Sequence, residues 1–389
     1  MKHADRNFRP GILLLTLALM LLSFFCLRWL LFSVQSDAIP AQKSSSGPAA
    51  MASGEKSGRA DFAGSMEVLA NNSAADALSE LVYIKKIYKI PENDVVAPKP
   101  DKSKFGVTTD PAELQRIVDS AAALLEGQEM IWSPDIQFME GSDMHYYCDD
   151  TILAITWKEG IDGAAVTFAE IKIADGSQLR RALSGNSFGS GIRMKATEMA
   201  SAANAVVGIN GDFYDNRQIG LSVYQRRICR NKGTALDACF FTAAGDMLMT
   251  HHGELVTDED VERYLADNDV VFGISFGPIL VENGELQNIS SYPVGEIEAN
   301  YSRAAIAQKG ERHYLLMTIG QEGQYARRCQ INKAAEIIYS KGVDSAYALD
   351  GGQTATMVMD GKTVNRVDWD EERTMSDIIY FATALPEEG

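Results

Sequence analysis

Ala348–Met357 (ALDGGQTATM) is the most informative stretch of the chain, and Val206–Asp215 (VVGINGDFYD) is built in the same way. Each pattern predicts a buried strand that runs into a turn containing glycine and polar side chains. Glycine adopts backbone conformations closed to other residues, so such a turn lets backbone amides approach a ligand closely. Asp350 and Asp212 therefore predict the two sides of one active site. The alternative is that both aspartates only close turns, because Asp-Gly and Asn-Gly are common turn formers.

Strand patterns dominate the chain beyond Gln128, and helical patterns interrupt them at irregular intervals. Helices are predicted at Ile192–Asn204, Asp258–Ala266 and Ile331–Ser340. The predicted strands include Ala165–Ile173, Val270–Ile274, Ser345–Leu349 and Asp377–Phe381. This order lacks the regular strand–helix alternation of a doubly wound sheet or a TIM barrel. The sequence predicts an α+β domain, a mixed β-sheet with packed helices, over residues 128–389.

The first 127 residues have a different organisation. Basic residues in positions 1–10 precede the apolar run Gly11–Val34, which is long enough to cross a bilayer as a helix. The basic flank predicts a cytoplasmic tail, a single transmembrane anchor over 11–34 and an extracytoplasmic domain. A cleaved signal peptide is the alternative, since Ser36–Ala38 resembles a small-residue cleavage site. Residues 35–127 are predicted to be a stalk or linker, with a short helix that begins after the N-cap Asp110.

Charge and cysteine content limit the function classes. The formal net charge of -17 argues against a protein that binds nucleic acid through a basic surface. Four cysteines follow the anchor, and in an oxidising compartment Cys229 with Cys239 is the favoured disulfide; four unpaired thiols are the alternative. No cysteine or histidine spacing indicates a metal site, and no cofactor is required. A divalent cation beside the carboxylates is compatible with the sequence, because hard cations take oxygen ligands.

The polar residues around the two turns indicate hydrolysis of an anionic substrate. Glycoside hydrolysis typically uses two carboxyl groups, one as acid and the other as base or nucleophile, and Asp212 and Asp350 have the required chemistry. An anionic phosphodiester requires a cationic clamp, for which Arg217, Arg303 and Arg373 are candidates.

The order of the motifs adds a family resemblance. The chain resembles the phosphodiester glycosidase family, which includes the lysosomal uncovering enzyme and bacterial proteins often described as exopolysaccharide-biosynthesis proteins. The resemblance covers roughly residues 150–385. It is carried by Ala169–Lys172, Asn210–Tyr214, Phe276–Pro278, Arg303–Gln308, Leu349–Gly352 and Arg373–Asp377.

The resemblance implies a function and a set of site residues. It implies hydrolysis of sugar-1-phosphodiesters, such as N-acetylglucosamine-1-phosphodiesters, at the glycosidic bond, in exopolysaccharide or cell-envelope glycan metabolism. The substrate is then a sugar phosphodiester or a phosphorylated glycan. By position, Asp350, Asp212 and Arg303 are the catalytic candidates. The substrate-binding candidates are Asn210, Gly211, Asp215, Arg217, Gly277, Gly351, Gly352, Thr354 and Arg373.

The chain departs from the family pattern in several places. Gln353 stands where the family has a third glycine, Thr354 replaces a serine, and Gln321 follows Ile319-Gly320 where many relatives have an Asp-Gly-Arg sequence. These departures favour one alternative, a glycan-binding or assembly protein that keeps the fold without turnover. Another alternative is a phosphodiesterase that cuts the P–O bond instead.

Overall fold

A computed structural model describes residues 89–90, 96–232, 235–290, 292 and 297–385. These residues belong to one compact unit, which begins at Ile84. The predicted anchor over 11–34 and most of the predicted stalk lie outside the described residues. Within the described part of the chain, every helix is too short or too polar to cross a membrane.

Strands dominate the described residues, and five helices accompany them. The strands are β1 (Phe105–Thr108), β2 (Met144–Cys148), β3 (Ile152–Ile161), β4 (Ala164–Ile173), β5 (Leu179–Leu183), β6 (Val207–Asn210), β7 (Gly220–Tyr224), β8 (Arg227–Lys232), β9 (Ala238–Thr242), β10 (Met247–Thr250), β11 (Val270–Ile274), β12 (Ile279–Glu282), β13 (Glu285–Leu286), β14 (Arg303–Gly310), β15 (His313–Gly320), β16 (Ser345–Leu349), β17 (Met357–Met359), β18 (Lys362–Thr363) and β19 (Asp377–Phe381). The helices are α1 (Pro111–Ser120), α2 (Ala122–Leu125), α3 (Ala196–Ala202), α4 (Asp258–Asp267) and α5 (Ile331–Tyr339).

The strands form three sheets. The largest has nine strands in the order β1-β2-β3-β4-β15-β14-β16-β12-β13. Two five-stranded sheets follow the orders β10-β9-β11-β7-β8 and β18-β17-β6-β19-β5. The predicted α+β class is therefore confirmed, with sheets as the dominant component.

The strand directions differ from the prediction of a mixed sheet. Every strand pair between described residues is antiparallel. Parallel neighbours require a crossover connection, usually through a helix. Here α5 does connect two parallel strands, β15 and β16, but β14 lies between them and pairs antiparallel with both.

The nine-stranded sheet is buried on both faces, which explains its long apolar runs. In β14, Ala305 and Ala307 belong to the core that contains α1, α2 and α5. Ala304 and Ile306 belong to a second core, which is shared with strands of the two smaller sheets. All ten residues of β4 are buried for the same reason. The two acidic turns, which contain Asp212 and Asp350, lie on the side of this second core.

The packed domain begins before Gln128, where the sequence had placed its start. β1 pairs with β2 at the edge of the large sheet, and Leu114, Val118 and Leu125 are part of the core beneath it. The predicted helix after Asp110 is present: the Asp110 carboxylate accepts a hydrogen bond from the amide of Ala112 at 2.9 Å. This region was assigned to the linker because its apolar residues are few and widely spaced.

The described cysteines are all unpaired, so the favoured disulfide is not formed. Cys239 is buried in β9, while Cys229 is half-buried in β8. β11 and β7 lie between these two strands in the sheet. Residues that are close in sequence are thus separated by two strands, because the chain between them leaves β8 and enters the sheet again on its other side.

Candidate active site

The two acidic turns come together through the side chain of Asn210, at the end of β6. Its Nδ2 donates to the backbone oxygen of Asp350 at 2.7 Å, and its Oδ1 accepts from the amide of Thr356 at 3.1 Å. The amide of Asp350 in turn donates to the oxygen of Gly211 at 3.3 Å. Asn210 is thus buried as the link between the turns, instead of facing a substrate.

A third carboxylate, Asp377, lies at the start of β19 beside the first turn. Its Oδ1 accepts from the amide of Asp212 at 2.8 Å, and its backbone oxygen accepts from the amide of Gly211 at 3.1 Å. A Cβ on Gly211 would lie 2.7 Å from the Asp377 carboxylate. Glycine is therefore required at position 211 for the close approach of the turn to this side chain.

Arg181, from β5, neutralises Asp377 in the interior. Its Nε donates to Asp377 Oδ2 at 2.6 Å, and both side chains are fully excluded from solvent. Its Nη1 donates to Ser222 Oγ at 3.1 Å and to the backbone oxygens of Val223 and Gly273 at 3.1 and 2.9 Å. One arginine therefore connects β5 with β19, β7 and β11.

Asp212 is buried with both carboxylate oxygens engaged by backbone amides. Oδ1 accepts from Phe213 at 2.6 Å and Oδ2 from Ser275 at 3.4 Å. Burial raises the pKa of Asp212, while the charge of Arg181 opposes that shift. Burial likewise raises the pKa of Asp377 against the effect of Arg181.

Asp350 has a different environment on the other turn. Burial raises the pKa of Asp350 to about 6, and the negative charge of Asp212 adds to this shift. A hydrogen bond from Thr354 and the charges of Arg373 and Arg217 act in the opposite direction. A carboxyl group with a pKa near 6 exchanges its proton close to neutral pH, which is the property of a general acid or base.

Three arginines near Asp212 carry buried N–H groups without a partner in the described part of the chain: Nη2 of Arg181, and one group each of Arg217 and Arg230. Arg217 lies over the ring of Phe276 at 4.7 Å, and its Nη1 makes no hydrogen bond there. Arg230 donates through Nη1 to the backbone oxygens of Tyr214 and Arg217 at 2.9 and 2.6 Å, but its buried Nη2 makes none. Buried donors are normally satisfied, so these groups indicate room for an anion or ordered water.

Arg303 lies elsewhere. Its Nε donates to the backbone oxygen of Cys329 at 3.1 Å, and its Nη2 donates to that of Ala299 at 2.5 Å. Cys329 belongs to the core on the helix-covered face of the large sheet, whereas the acidic turns lie at the other core. The structure therefore does not bring the Arg303 side chain to the carboxylates, although the sequence names it as a catalytic residue.

The remaining predicted residues lie on or beside the two acidic turns. Asp215 is half-buried beyond the first turn, and Arg373 is exposed with its guanidinium 6.0 Å from the ring centre of Phe213. On the second turn, the Gly352 amide donates to Ser302 at 2.7 Å, and Thr354 Oγ1 donates to the oxygen of Gly351 at 2.5 Å.

Gly277 belongs to the turn that positions Phe276 beneath Arg217. Its φ of 71° is a left-handed conformation, and a Cβ there would lie 2.3 Å from the hydroxyl of Tyr292. The amide of Phe276 donates to the hydroxyl of Tyr347 at 2.9 Å. Gly277 therefore shapes this turn through its backbone conformation, and its predicted role in substrate binding stays a prediction.

Sequence reasoning missed Arg181 and Arg230 and did not place Asp377 among the site residues. Both arginines lie in strands rich in basic residues (LRRAL and RICRNK) that look like surface segments. Only the position of Asp377 in the Arg373–Asp377 motif gave a signal. Among the described residues, no group of three or more His, Cys, Asp or Glu side chains is arranged to hold a metal ion.

Carboxylates with raised pKa values beside unpartnered guanidinium groups form the kind of site that a hydrolase of anionic glycosides requires. Residues 203–382 match the model of the phosphodiester glycosidase family, which confirms the family resemblance predicted from the motif order. This range contains Asp212, Asp350 and Asp377 but not Arg181.

Individual relatives are distant. The SPbeta prophage-derived uncharacterized protein YomE of Bacillus subtilis is 22% identical over 201 residues, which are 50% of this chain and 30% of the relative. The chain thus spans under a third of that relative's length. The zebrafish N-acetylglucosamine-1-phosphodiester α-N-acetylglucosaminidase catalytic domain, auto-inhibited by its pro-peptide, matches with 16% identity and a TM-score of 0.48, over 64% of this chain and 86% of that one. A hypothetical protein from Synechocystis matches with 14% identity and a TM-score of 0.47, over 60% and 62% of the respective chains.

Proposed function

We propose that this protein hydrolyses sugar-1-phosphodiesters at the glycosidic bond, releasing free sugar and leaving the phosphate on the other alcohol. One observation carries the proposal: Asp350, a carboxyl group with a pKa of about 6, lies within the electrostatic influence of Arg217 and Arg373. A glycosidase needs a group that exchanges a proton near neutral pH, and a phosphodiester needs cations. The family match supports the same reaction class.

Asp350 is assigned the proton transfer because its carboxylate is the less engaged of the two candidates. Both oxygens of Asp212 accept backbone amides, whereas the polar contact to Asp350 is Thr354. In its ionised form Asp350 removes a proton from a water molecule that attacks the anomeric carbon. The bond from this carbon to the bridging oxygen breaks, and its electron pair leaves with the phosphate group.

The phosphate is assigned to Arg217 and Arg230. Each has a buried N–H group that makes no hydrogen bond within the described residues, and both charges act on Asp212. Two oxygens of a phosphodiester can accept such N–H groups without displacing an existing contact. Arg373, which is exposed, adds positive charge at the rim. This replaces the role that the sequence gave to Arg303.

The departures from the family pattern leave the cleft clear. Gln353 donates through Nε2 to the backbone oxygen of Glu371 at 3.0 Å, and Gln321 donates to that of Ala326. Both side chains therefore bind neighbouring loop backbone and are held away from the carboxylates. This supports turnover over the alternative of a glycan-binding protein without activity.

The proposal includes the cellular location. The basic tail and the apolar run Gly11–Val34 support a single membrane anchor with the described domain outside the cytoplasm. The substrate is then a phosphorylated glycan of the cell envelope or an exopolysaccharide. Reaction with a protease added to intact cells tests this location, because an extracytoplasmic domain is cleaved without lysis.

The reaction is tested with the full chain in detergent and an α-N-acetylglucosamine-1-phosphodiester in ¹⁸O-labelled water. We expect the label in the released sugar, and no release by the Asp350→Asn variant. Label in the phosphate would identify a P–O phosphodiesterase instead. Binding of the diester without any release by the folded wild-type protein would support the non-catalytic alternative and overturn the proposal.

A further inference from the structure

Arg181 is the most deeply buried arginine near the site, and it lies outside the range that matches the family. We propose that Arg181 is a positioning residue that holds Asp377 and, through Asp377, the backbone of Asp212. The inference rests on the proposed hydrolysis of sugar phosphodiesters.

The first argument is the geometry of the guanidinium. Nε and Nη1 together make four hydrogen bonds, to Asp377, Ser222, Val223 and Gly273, at distances from 2.6 to 3.1 Å. These partners belong to three strands of two sheets. The rigid planar fork of arginine fits this set, and the ammonium of lysine does not reproduce it.

The second argument is the path from Asp377 to the reacting carboxylates. Asp377 accepts the amide of Asp212, and the side chain of Asp377 packs directly against Gly211. The oxygen of Gly211 in turn accepts the amide of Asp350. A displacement of Asp377 therefore moves the backbone of both acidic turns.

The third argument is electrostatic. Arg181 contributes the positive charge that most strongly opposes the effect of burial on Asp212 and Asp377. The two aspartates carry charges that repel one another, so a single buried cation controls how many protons the group holds. The titratable or charged groups around Arg181 are Asp377, Asp212, Tyr214, Tyr224, Cys229 and Arg230.

A purely structural ion pair and a positioning residue predict different pH profiles. Arg181→Met removes a positive charge, so Asp212 and Asp377 hold their protons to higher pH. Asp377→Asn removes a negative charge, so Asp212 loses its proton at lower pH. Because the charged form of Asp212 raises the pKa of Asp350, we expect the acidic limb of kcat/KM to move by about one pH unit, to lower pH in Arg181→Met and to higher pH in Asp377→Asn. The phosphodiester itself does not titrate in this range, so the limb reports the enzyme.

Matched variants separate charge from packing. Ser222→Ala removes one contact of the Arg181 Nη1 without changing any charge, and it should leave the acidic limb in place. The double variant Arg181→Met with Asp377→Asn removes the ion pair and leaves the net charge unchanged. The acidic limb of its kcat/KM profile should therefore return to the wild-type position even if kcat is lower. Arg181→Lys keeps the charge, and we expect a wild-type limb with reduced kcat.

A buried carboxylate without its ion-pair partner destabilises the folded state, so Arg181→Met can fail to fold. In that case Asp377→Asn and the double variant, checked by near-ultraviolet circular dichroism, carry the test. An unchanged limb in folded Asp377→Asn protein overturns the inference and leaves the proposed hydrolysis intact. If wild-type protein releases no sugar from any phosphodiester, the proposed function fails first.

Discussion

The two acidic turns are built alike in sequence but differ in how their carboxylates are held. Each carboxylate oxygen of Asp212 accepts a hydrogen bond from a backbone amide. The amide of Asp212 donates to Asp377, which is paired with the buried Arg181. Asp350 faces Thr354 and the rim arginines instead. Under the proposed function, the Asp212 turn is the frame turn, which is fixed by these contacts, and the Asp350 turn is the active turn, which keeps a carboxyl group available for a substrate.

The two turns also affect the stability of the fold in different ways. The buried ion pair gives geometry but little net stability, since desolvation offsets most of the attraction. Among the described residues no cation lies in hydrogen-bond contact with Asp350, so its burial directly disfavours the ionised form. Both turns thus hold carboxyl groups with raised pKa values, but only the Asp212 turn is supported by a buried ion pair.

The largest expected effect is that of Asp350→Asn, which tests the different roles proposed for the two turns. Asp350→Asn should lower kcat/KM by about a thousandfold, the scale of a lost general base. Asp360 provides a matched control, because it also precedes glycine at the end of a strand but pairs with Lys102 at the surface. Asp360→Asn should keep its activity within twofold, roughly the effect expected of a surface substitution. Wild-type activity in folded Asp350→Asn protein would remove Asp350 as the group that transfers the proton.

The next effect concerns the substrate side of the cleft. Arg217→Met should raise KM about 10- to 100-fold, since a hydrogen bond to a charged group contributes about 1.5–3 kcal/mol. Arg226→Met is the control, because Arg226 is an exposed arginine that pairs with Asp269. Steady-state kinetics with a phosphodiester and with a neutral glycoside of the same sugar make the test. An equal loss for both substrates would remove Arg217 as the phosphate ligand.

A third effect is on stability. Because the folded-state pKa of Asp350 is raised to about 6, the folded protein binds a proton between about pH 4 and pH 6 that the unfolded chain has lost. The contribution of this group to the unfolding free energy therefore falls as pH rises through that window. Asp350→Asn should stabilise the protein at pH 8 by up to about 3 kcal/mol, and by little at pH 4.

Urea unfolding of both proteins at the two pH values measures this difference, with Asp360→Asn as the control for loss of a carboxylate. A gain of equal size at pH 4 and pH 8 would show that the effect is one of packing instead of ionisation. The measurement thus tests whether the active turn and the frame turn differ in the way the structure implies.

The smallest effect concerns Arg303. Its guanidinium binds the backbone oxygens of Cys329 and Ala299 on the far face of the sheet. Arg303→Met should leave KM within about twofold and lower the unfolding free energy by about 1.5–3 kcal/mol. A rise in KM comparable to that of Arg217→Met would show that Arg303 binds the phosphate and would contradict the assignment of the phosphate to Arg217 and Arg230.

Much of the fold could be predicted because burial imposes simple patterns. Val270–Ile274, Ser345–Leu349 and Asp377–Phe381 were predicted with the bounds that the structure has, since each is a continuous apolar run. The strands that escaped prediction are short or carry charges, as in β5, where Arg181 is buried by tertiary contacts that a local pattern does not contain. Strand direction was missed because it depends on which strands become neighbours.

The site was predictable to the extent that it lies on turns. Asp212 and Asp350 were found because strand ends followed by glycine are local features. Their separation into frame and active turn depends on Asp377, Arg181 and Ser275, which come from distant parts of the chain. Arg303 was misplaced for the same reason, because a strand residue faces one side of a sheet or the other and the sequence does not state which side holds the substrate.

The side-chain amide of Asn210, which joins the two turns, is also a position at which the protein can degrade chemically. Asn210 precedes glycine, and asparagine is among the residues that heat damages first. Hydrolysis of this amide to a carboxylate would replace the donor to the Asp350 carbonyl by a negative oxygen and push the turns apart. Loss of activity on storage would then accompany a mass increase at a single residue, well before the protein unfolds.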